Sequence, residues 1–207
     1  MTDLGISPEI IALAKAGATP AAIKAVEGLS TRIAKSLSGA LSRQVREIAL
    51  NLKTNFGPHL EATYDKCTKI KTLVNLDEPV GLLSQYVPLN FQCQNKEFDD
   101  AATIEQIRAR KRIVISGTGG GGKTIFTKYA WISFFENPQG RIPVFVELRQ
   151  LNEIGASDGS LLALIFHTIV AAHAKVARET FDAGVSSGLF VFILDGFDEV
   201  AKEKNPM

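Results

Sequence analysis

The chain has 207 residues, enough for one domain with an appendage or for two small domains. Its 23 Lys and Arg against 22 Asp and Glu leave a formal net charge of +1, so composition gives no basic footprint for nucleic acid. Cys67 and Cys93 are isolated and the histidines are scattered, which supports neither a zinc site nor a disulfide framework. No basic patch leads into an apolar run after Met1, so we expect a cytoplasmic protein without a secretory signal.

Residues 1–80 predict a separate helical region. Thr19 followed by Pro20 is typical of a helix cap with proline at the first position. Apolar residues then recur every three or four positions, which predicts an amphipathic helix broken at Gly57-Pro58; residues 60–76 predict the next helix. We expect the apolar stripe to face the core of a small bundle, while membrane-active and partner-binding roles stay open. The stripe consists of Ile33, Leu37, Leu41, Val45, Ile48 and Leu52.

Residues 81–110 predict a linker into the next domain. Residues 108–112 form the one dense basic cluster of the sequence. We interpret this cluster as a solvated approach to the first strand, with contact to phosphate or nucleic acid as the alternative.

Residues 117–124 read Gly-Thr-Gly-Gly-Gly-Gly-Lys-Thr, which fits the phosphate-binding loop pattern G-x-x-x-x-G-K-S/T at every specified position. The β-branched run at residues 112–116 predicts a buried parallel strand before the loop, and residues 124–135 predict a helix after it. Strand, glycine loop and helix are the setting that a nucleotide site requires. The alternative is a glycine-rich turn before a core helix.

Each part of this loop has an expected role. Glycines allow successive backbone N–H groups to point inward at phosphate oxygens, and the helix start adds its positive end. Lys123 is expected to reach the β- and γ-phosphates, and the Thr124 hydroxyl to ligate Mg²⁺. The predicted nucleotide-binding residues are Gly117, Thr118, Gly119, Gly120, Gly121, Gly122, Lys123 and Thr124.

Residues 161–174 are the most apolar helical candidate. They fall short of the roughly 20 residues that a membrane span needs, and they include His167 and His173. We expect a buried crossover helix packed on a sheet.

A second informative stretch begins at residue 190, where five consecutive apolar residues precede Asp195. Such a run predicts a strand covered on both faces of a parallel sheet, and ligands of these sheets bind where the strands end. We expect Asp195 to be the carboxylate on the magnesium side, and Asp198 or Glu199 to orient or deprotonate the attacking water. The alternative is a strand followed by an acidic turn.

Together, the glycine loop and the acidic strand resemble the NACHT branch of the STAND NTPases, which are signalling ATPases. Residues 194–199, Leu-Asp-Gly-Phe-Asp-Glu, are similar to that family's Mg²⁺-site signature. Residues 143–151 are similar to the family's second strand and its trailing Arg-x-Leu, here Arg149 and Leu151. Residues 85–91 resemble the extended segment that leads into a NACHT module.

The resemblance implies an α/β fold. We expect an N-terminal helical region at 1–80, a linker at 81–110, and at 111–207 the first part of a P-loop NTPase with a three-layer α/β/α parallel sheet. A NACHT module continues past its acidic strand, so we expect the chain to be an incomplete module. In the family, the next strand lies between the acidic strand and the strand before the loop. The resemblance also implies that the N-terminal helices self-associate or recruit an effector or adaptor.

The expected ligands are ATP or ADP with Mg²⁺. Residues 95–98, Asn-Lys-Glu-Phe, lie before the loop and lack the acid of a guanine-reading motif. In the NACHT family, bound ADP keeps the chain closed, and exchange or hydrolysis permits assembly. The alternative is a helical interaction fragment without enzymatic activity, whose nucleotide site is a relic.

Overall fold

The computed structural model describes residues 19–36, 52–71, 79–110, 112–152, 160–171 and 176–200. These residues form a mixed α/β structure. Within them, no helix is both long and apolar enough to cross a membrane. The helices are α1 (Pro20–Ser36), α2 (Leu52–Thr68), α3 (Leu82–Gln85), α4 (Asp100–Ala109), α5 (Lys123–Glu136), α6 (Leu161–Ala171) and α7 (Arg178–Ser186). The strands are β1 (Lys69–Ile70), β2 (Val80–Gly81), β3 (Asn90–Cys93), β4 (Lys96–Asp99), β5 (Ile142–Glu147) and β6 (Phe190–Asp195), with 3-10 turns at Leu148–Asn152 and Phe197–Glu199.

The predicted cap of α1 is confirmed. The backbone N–H of Ala22 donates to Thr19 Oγ1 at 3.3 Å, and Pro20 is the first helical residue. The backbone N–H and the hydroxyl of Thr19 also donate to the Asp65 carboxylate of α2, at 3.1 and 2.8 Å. The cap therefore joins the two helices. Of the predicted stripe, Ile33 is buried in α1, while residues 37–51 lie outside the described residues.

Gly57 and Pro58 do not break the helix, contrary to the sequence prediction. Helix α2 runs through both, so Pro58 lies inside it. An interior proline costs about 3 kcal/mol because it removes one backbone hydrogen bond and crowds the preceding turn. The neighbouring side chains of Phe56 and Leu60 are fully buried, and burying each stabilises by about 1.5–3 kcal/mol, which offsets that cost. The predicted end at residue 76 is also wrong, since α2 ends at Thr68.

The two strands predicted on either side of the crossover are confirmed. Strands β5 and β6 pair in parallel over six positions, from Ile142 opposite Phe190 to Glu147 opposite Asp195. The crossover helix is also confirmed as far as α6 extends, and the rest of its predicted range lies outside the described residues. All of β5 except its last residue is buried.

Helix α5 runs antiparallel to β5. Only residues 137–141 join the end of the helix to the start of the strand, and Trp131 Nε1 donates to the carbonyl of Pro143 at 3.2 Å. Fourteen helical residues and six strand residues are both roughly 20 Å long. The start of α5 therefore lies at the level of the carboxyl ends of the strands.

Helix α2 packs against the sheet layer as well as against α1. The rings of Phe56 and Phe190 are 5.5 Å apart, and those of Tyr64 and Phe135 are 5.3 Å apart. One hydrophobic cluster extends from α1 through α2 and α5 to both parallel strands. The N-terminal helices thus share a core with the α/β layer.

Residues 112–118 are not in a strand, contrary to the prediction for 112–116. Val114 is 92% exposed, whereas Ile115 is half-buried against the core. A β-branched run forms a strand only when a neighbour accepts its backbone hydrogen bonds, and among the described residues β6 pairs with β5 alone. A sheet that includes this segment, as in a three-layer P-loop fold, stays a prediction.

Candidate nucleotide site

The glycine loop adopts a backbone that favours glycine at two positions. Gly120 has φ 75° and Gly122 has φ 81°, both in the left-handed region that other residues rarely enter. The N–H of Gly121 donates to the Thr118 carbonyl at 3.2 Å, which closes a turn within the loop. Residues 117–121 of the loop are exposed. A ligand can therefore approach its backbone.

Residues 85–91, the leading segment, pack against this loop and the helix after it. A Cβ built on Gly122 would lie 3.2 Å from Leu89 Cδ1, so the leading segment covers one side of the loop. The rings of Tyr86 and Tyr129 stack at 4.3 Å, and Phe91 lies 4.5 Å from Phe126. The segment that the sequence associated with the loop is thus held beside it by aromatic contacts.

Lys123 opens α5 and folds back over the loop. Its Nζ donates to the carbonyls of Gly117 and Thr118, each at 3.0 Å. The first N–H groups of a helix have no partner within the helix and carry partial positive charge, so this end favours an anion. Thr124, the second residue of α5, is exposed. The predicted lysine and hydroxyl therefore lie together at one helix start.

The predicted acids lie at the carboxyl end of β6. Asp195 is the last residue of the strand, and Gly196, with φ 76°, turns the chain into the 3-10 turn. The Glu199 carboxyl carbon would lie 3.3 Å from a Cβ built on Gly196, so this side chain folds back over the residue that follows Asp195. Asn152 Nδ2 donates to the Glu199 carbonyl at 2.8 Å, which fixes the turn, and both Asp198 and Glu199 are exposed.

Two residues at this edge were missed by the motifs. Lys66 of α2 lies 2.8 Å from Glu147, the residue that faces Asp195 across the parallel pair. Burial raises the pKa of Glu147, but Lys66 and Arg149 together outweigh burial and hold the pKa below its ordinary value. Nothing in the sequence indicates that Lys66 contacts this edge, because the contact depends on how α2 packs.

Cys67 follows Lys66 in α2, and its thiol stays protonated at neutral pH. It is fully buried, and burial raises the pKa of its thiol to about 12, so the reactive thiolate does not form near neutral pH. The charges of Lys128 and Lys66 lower the pKa of this thiol, and the charges of Glu147 and Asp195 raise it.

The loop and the acids belong to the same end of the molecule. Lys123 begins the helix that starts at the level of the strand ends, and Asp195 is one of those ends. Among the described residues, no group of three or more His, Cys, Asp and Glu is arranged to hold a metal ion by itself. Comparison of the chain with protein-family models, curated proteins and solved structures finds no match.

Proposed function

We propose that the chain binds ATP or ADP with Mg²⁺ at the glycine loop and acts as a NACHT-type, nucleotide-controlled signalling NTPase. The observation that carries the proposal is the loop itself, with left-handed backbone at Gly120 and Gly122 and with the Lys123 ammonium held over it at the start of a 14-residue helix. This combination presents backbone N–H groups, a helix start and a mobile cation to one anion. Phosphate is the ligand that uses all three.

The residues at the strand ends fit Mg²⁺ bound together with a nucleotide. Magnesium prefers oxygen ligands and is usually held by one or two carboxylates plus the phosphates, so a dedicated cluster of acids is not required. The Thr124 hydroxyl and the Asp195 carboxylate are such oxygen donors, the first in the opening turn of α5 and the second at the carboxyl end of β6. Bound Mg²⁺ supplies charge neutralisation for the phosphates.

Of the two predicted water-orienting acids, we assign the role to Glu199. Its carboxyl group folds back over Gly196, the residue that follows Asp195, and Asn152 holds its backbone. Asp198 and Glu199 are both exposed on this turn, so the contact with Gly196 is what distinguishes Glu199. A general base must lie within hydrogen-bond reach of the water it activates, and the side chain that folds back toward the end of β6 meets that condition best.

Calorimetric titration of the 207-residue chain with Mg-ATP and with ADP tests the proposal. Lys123→Ala removes two charge-assisted contacts to phosphate, so we expect it to weaken binding by roughly 10- to 100-fold. Lys24→Ala is the control, since it removes a lysine from an exposed position on α1. Circular dichroism and thermal melting establish that each variant is folded. Equal affinity of the parent and Lys123→Ala would refute the proposal.

A second candidate function is a helical interaction fragment whose nucleotide site is a relic. The observation that favours it is the exposure of Val114 and the absence of strand pairing at residues 112–118, because this segment supports the loop in a P-loop fold. A folded parent chain that shows no saturable binding of ATP or ADP would select this alternative.

A further inference from the structure

A cation from the N-terminal helices lies at the acidic edge of the sheet. Lys66 Nζ is 2.8 Å from Glu147 Oε2, and it lies 5.5 Å from the ring centre of Phe145. The Lys66 side chain is 25% exposed and that of Glu147 is 18% exposed. Partly buried charges are screened less than fully exposed charges, so they act on their neighbours more strongly.

Glu147 and Asp195 are lateral neighbours. They are opposite one another in the parallel register, so their side chains leave the same face of the sheet with their strands roughly 4.8 Å apart. Lys66, together with Arg149, therefore neutralises one of two adjacent carboxylates, of which the other is the proposed magnesium ligand. The charges of Lys66, Glu147 and Asp195 all shift the pKa of the Cys67 thiol, which agrees with this close grouping.

We propose that Lys66 and the divalent cation compete electrostatically for this acidic edge. An ammonium at Glu147 repels a dication held at Asp195, and at a separation of roughly 8 Å this repulsion weakens dication binding by roughly 3- to 30-fold. Coupling between two sites is reciprocal, so the dication weakens the Lys66–Glu147 ion pair by the same factor. The inference rests on the proposed function.

The competition connects the nucleotide site to the N-terminal helices. Asp65, the residue before Lys66, accepts hydrogen bonds from Thr19 at the start of α1 and from Lys69 after the end of α2. Displacement of Lys66 therefore acts on both N-terminal helices through α2. Mg-nucleotide binding loosens the contact of these helices with the sheet, and Lys66 is the positioning residue that carries the effect.

Titration with Mn²⁺, followed by electron paramagnetic resonance in the presence of saturating ADP, tests the inference. We expect Lys66→Met to bind Mn²⁺ roughly 3- to 30-fold more tightly than the parent, because the repelling charge is gone. Glu147→Gln should bind Mn²⁺ more weakly, because the charges of Lys66 and Arg149 are then no longer balanced by Glu147 and one carboxylate is lost. A general loosening of the fold would not shift the Mn²⁺ affinity in opposite directions for two substitutions in one ion pair. Lys69→Met, which breaks the Lys69–Asp65 pair, is the matched control and should leave Mn²⁺ affinity unchanged.

Hydrogen exchange supplies the reciprocal readout. We expect Mg-ADP to speed amide exchange in residues 55–68 of the parent but not of Glu147→Gln. Unchanged Mn²⁺ affinity in Lys66→Met, or an equal change in Lys69→Met, would overturn the inference while leaving the proposed function intact. A parent chain that binds no ADP would reject the proposed function, and the inference with it.

Discussion

Residues 112–116 and strand β6 have similar sequences and different structures. Both are dominated by β-branched or aromatic residues, and both were predicted to be buried parallel strands. Strand β6 pairs with β5 at all six of its positions, whereas residues 112–118 form no strand. The difference shows that strand propensity takes effect only where a neighbouring strand satisfies the backbone, and that the apolar pattern alone does not decide the structure.

The same contrast separates the two halves of the candidate site. The acidic edge is fixed by contacts from distant segments, since Lys66 reaches Glu147 and Asn152 holds the turn at Glu199. The glycine loop is bounded by its own lysine and by Leu89 of the leading segment. The acids are therefore positioned by tertiary packing, while the loop is positioned chiefly by its own backbone.

The strongest test of the comparison is to place the same charge in both apolar runs. Val144 in β5 is fully buried and Val114 is 92% exposed. An unpaired carboxylate in the core is among the most destabilising of substitutions, so Val144→Asp should lower the free energy of unfolding by more than about 4 kcal/mol. Val114→Asp should change it by less than about 0.5 kcal/mol, as exposed substitutions do.

Urea unfolding followed by circular dichroism measures both variants. Similar losses for Val114→Asp and Val144→Asp would mean that residues 112–116 are buried in a sheet after all. Val114→Thr keeps the β-branched shape and serves as the control for the exposed position.

A buried histidine gives the next largest effect, since it lies between the N-terminal helices and the α/β layer. His59 of α2 is buried, and among the described residues its Nε2 has no hydrogen-bond partner. Burial, and to a lesser extent the charge of Lys66, lowers the pKa of His59 from 6.5 to about 4, despite a hydrogen bond with the Thr168 backbone that raises it. His59 is therefore neutral in the native state at neutral pH.

The sign of the pH dependence follows from linkage. Between pH 6.5 and 4 the unfolded chain binds a proton at His59 and the native chain does not, so stability falls as the pH falls through this range. Below pH 4 this effect lowers the free energy of unfolding by about 3 kcal/mol, and above pH 6.5 it is absent. Unfolding free energies of the parent and His59→Leu across this range check the prediction, with His167→Gln as the control. Parallel pH profiles for the parent and His59→Leu would contradict it.

Sequence reasoning succeeded where local chemistry determines the outcome. The cap at Thr19, the helix after the loop and strand β6 follow from side-chain patterns a few residues long, and strand β5 was expected from the family resemblance; the structure confirms these elements. The roles expected for the loop and for Asp195 rest on motifs of the same kind and stay predictions.

Sequence reasoning failed where packing between distant segments determines the structure. Pro58 is tolerated because the side chains of Phe56 and Leu60 are buried against other elements, which the local pattern does not contain. The contact of Lys66 with Glu147 joins two regions that the sequence separates into different domains. No residue in either segment signals the other, so the charge balance at the acidic edge could be found only in three dimensions.

The smallest predicted effect concerns two glycines of the loop. Gly122 has φ 81°, and a Cβ there would lie 3.2 Å from Leu89, whereas Gly119 has no positive φ and no neighbouring atom within 4 Å of such a Cβ. Gly122→Ala should therefore cost about 1–2 kcal/mol of unfolding free energy, because an L-residue is strained in this backbone region. Gly119→Ala should cost less than about 0.5 kcal/mol. Thermal melting compares the two variants, and ADP titration shows whether the strain reaches the ligand. Equal melting temperatures would mean that the loop backbone adjusts to alanine at Gly122, so its conformation is not fixed before phosphate binds.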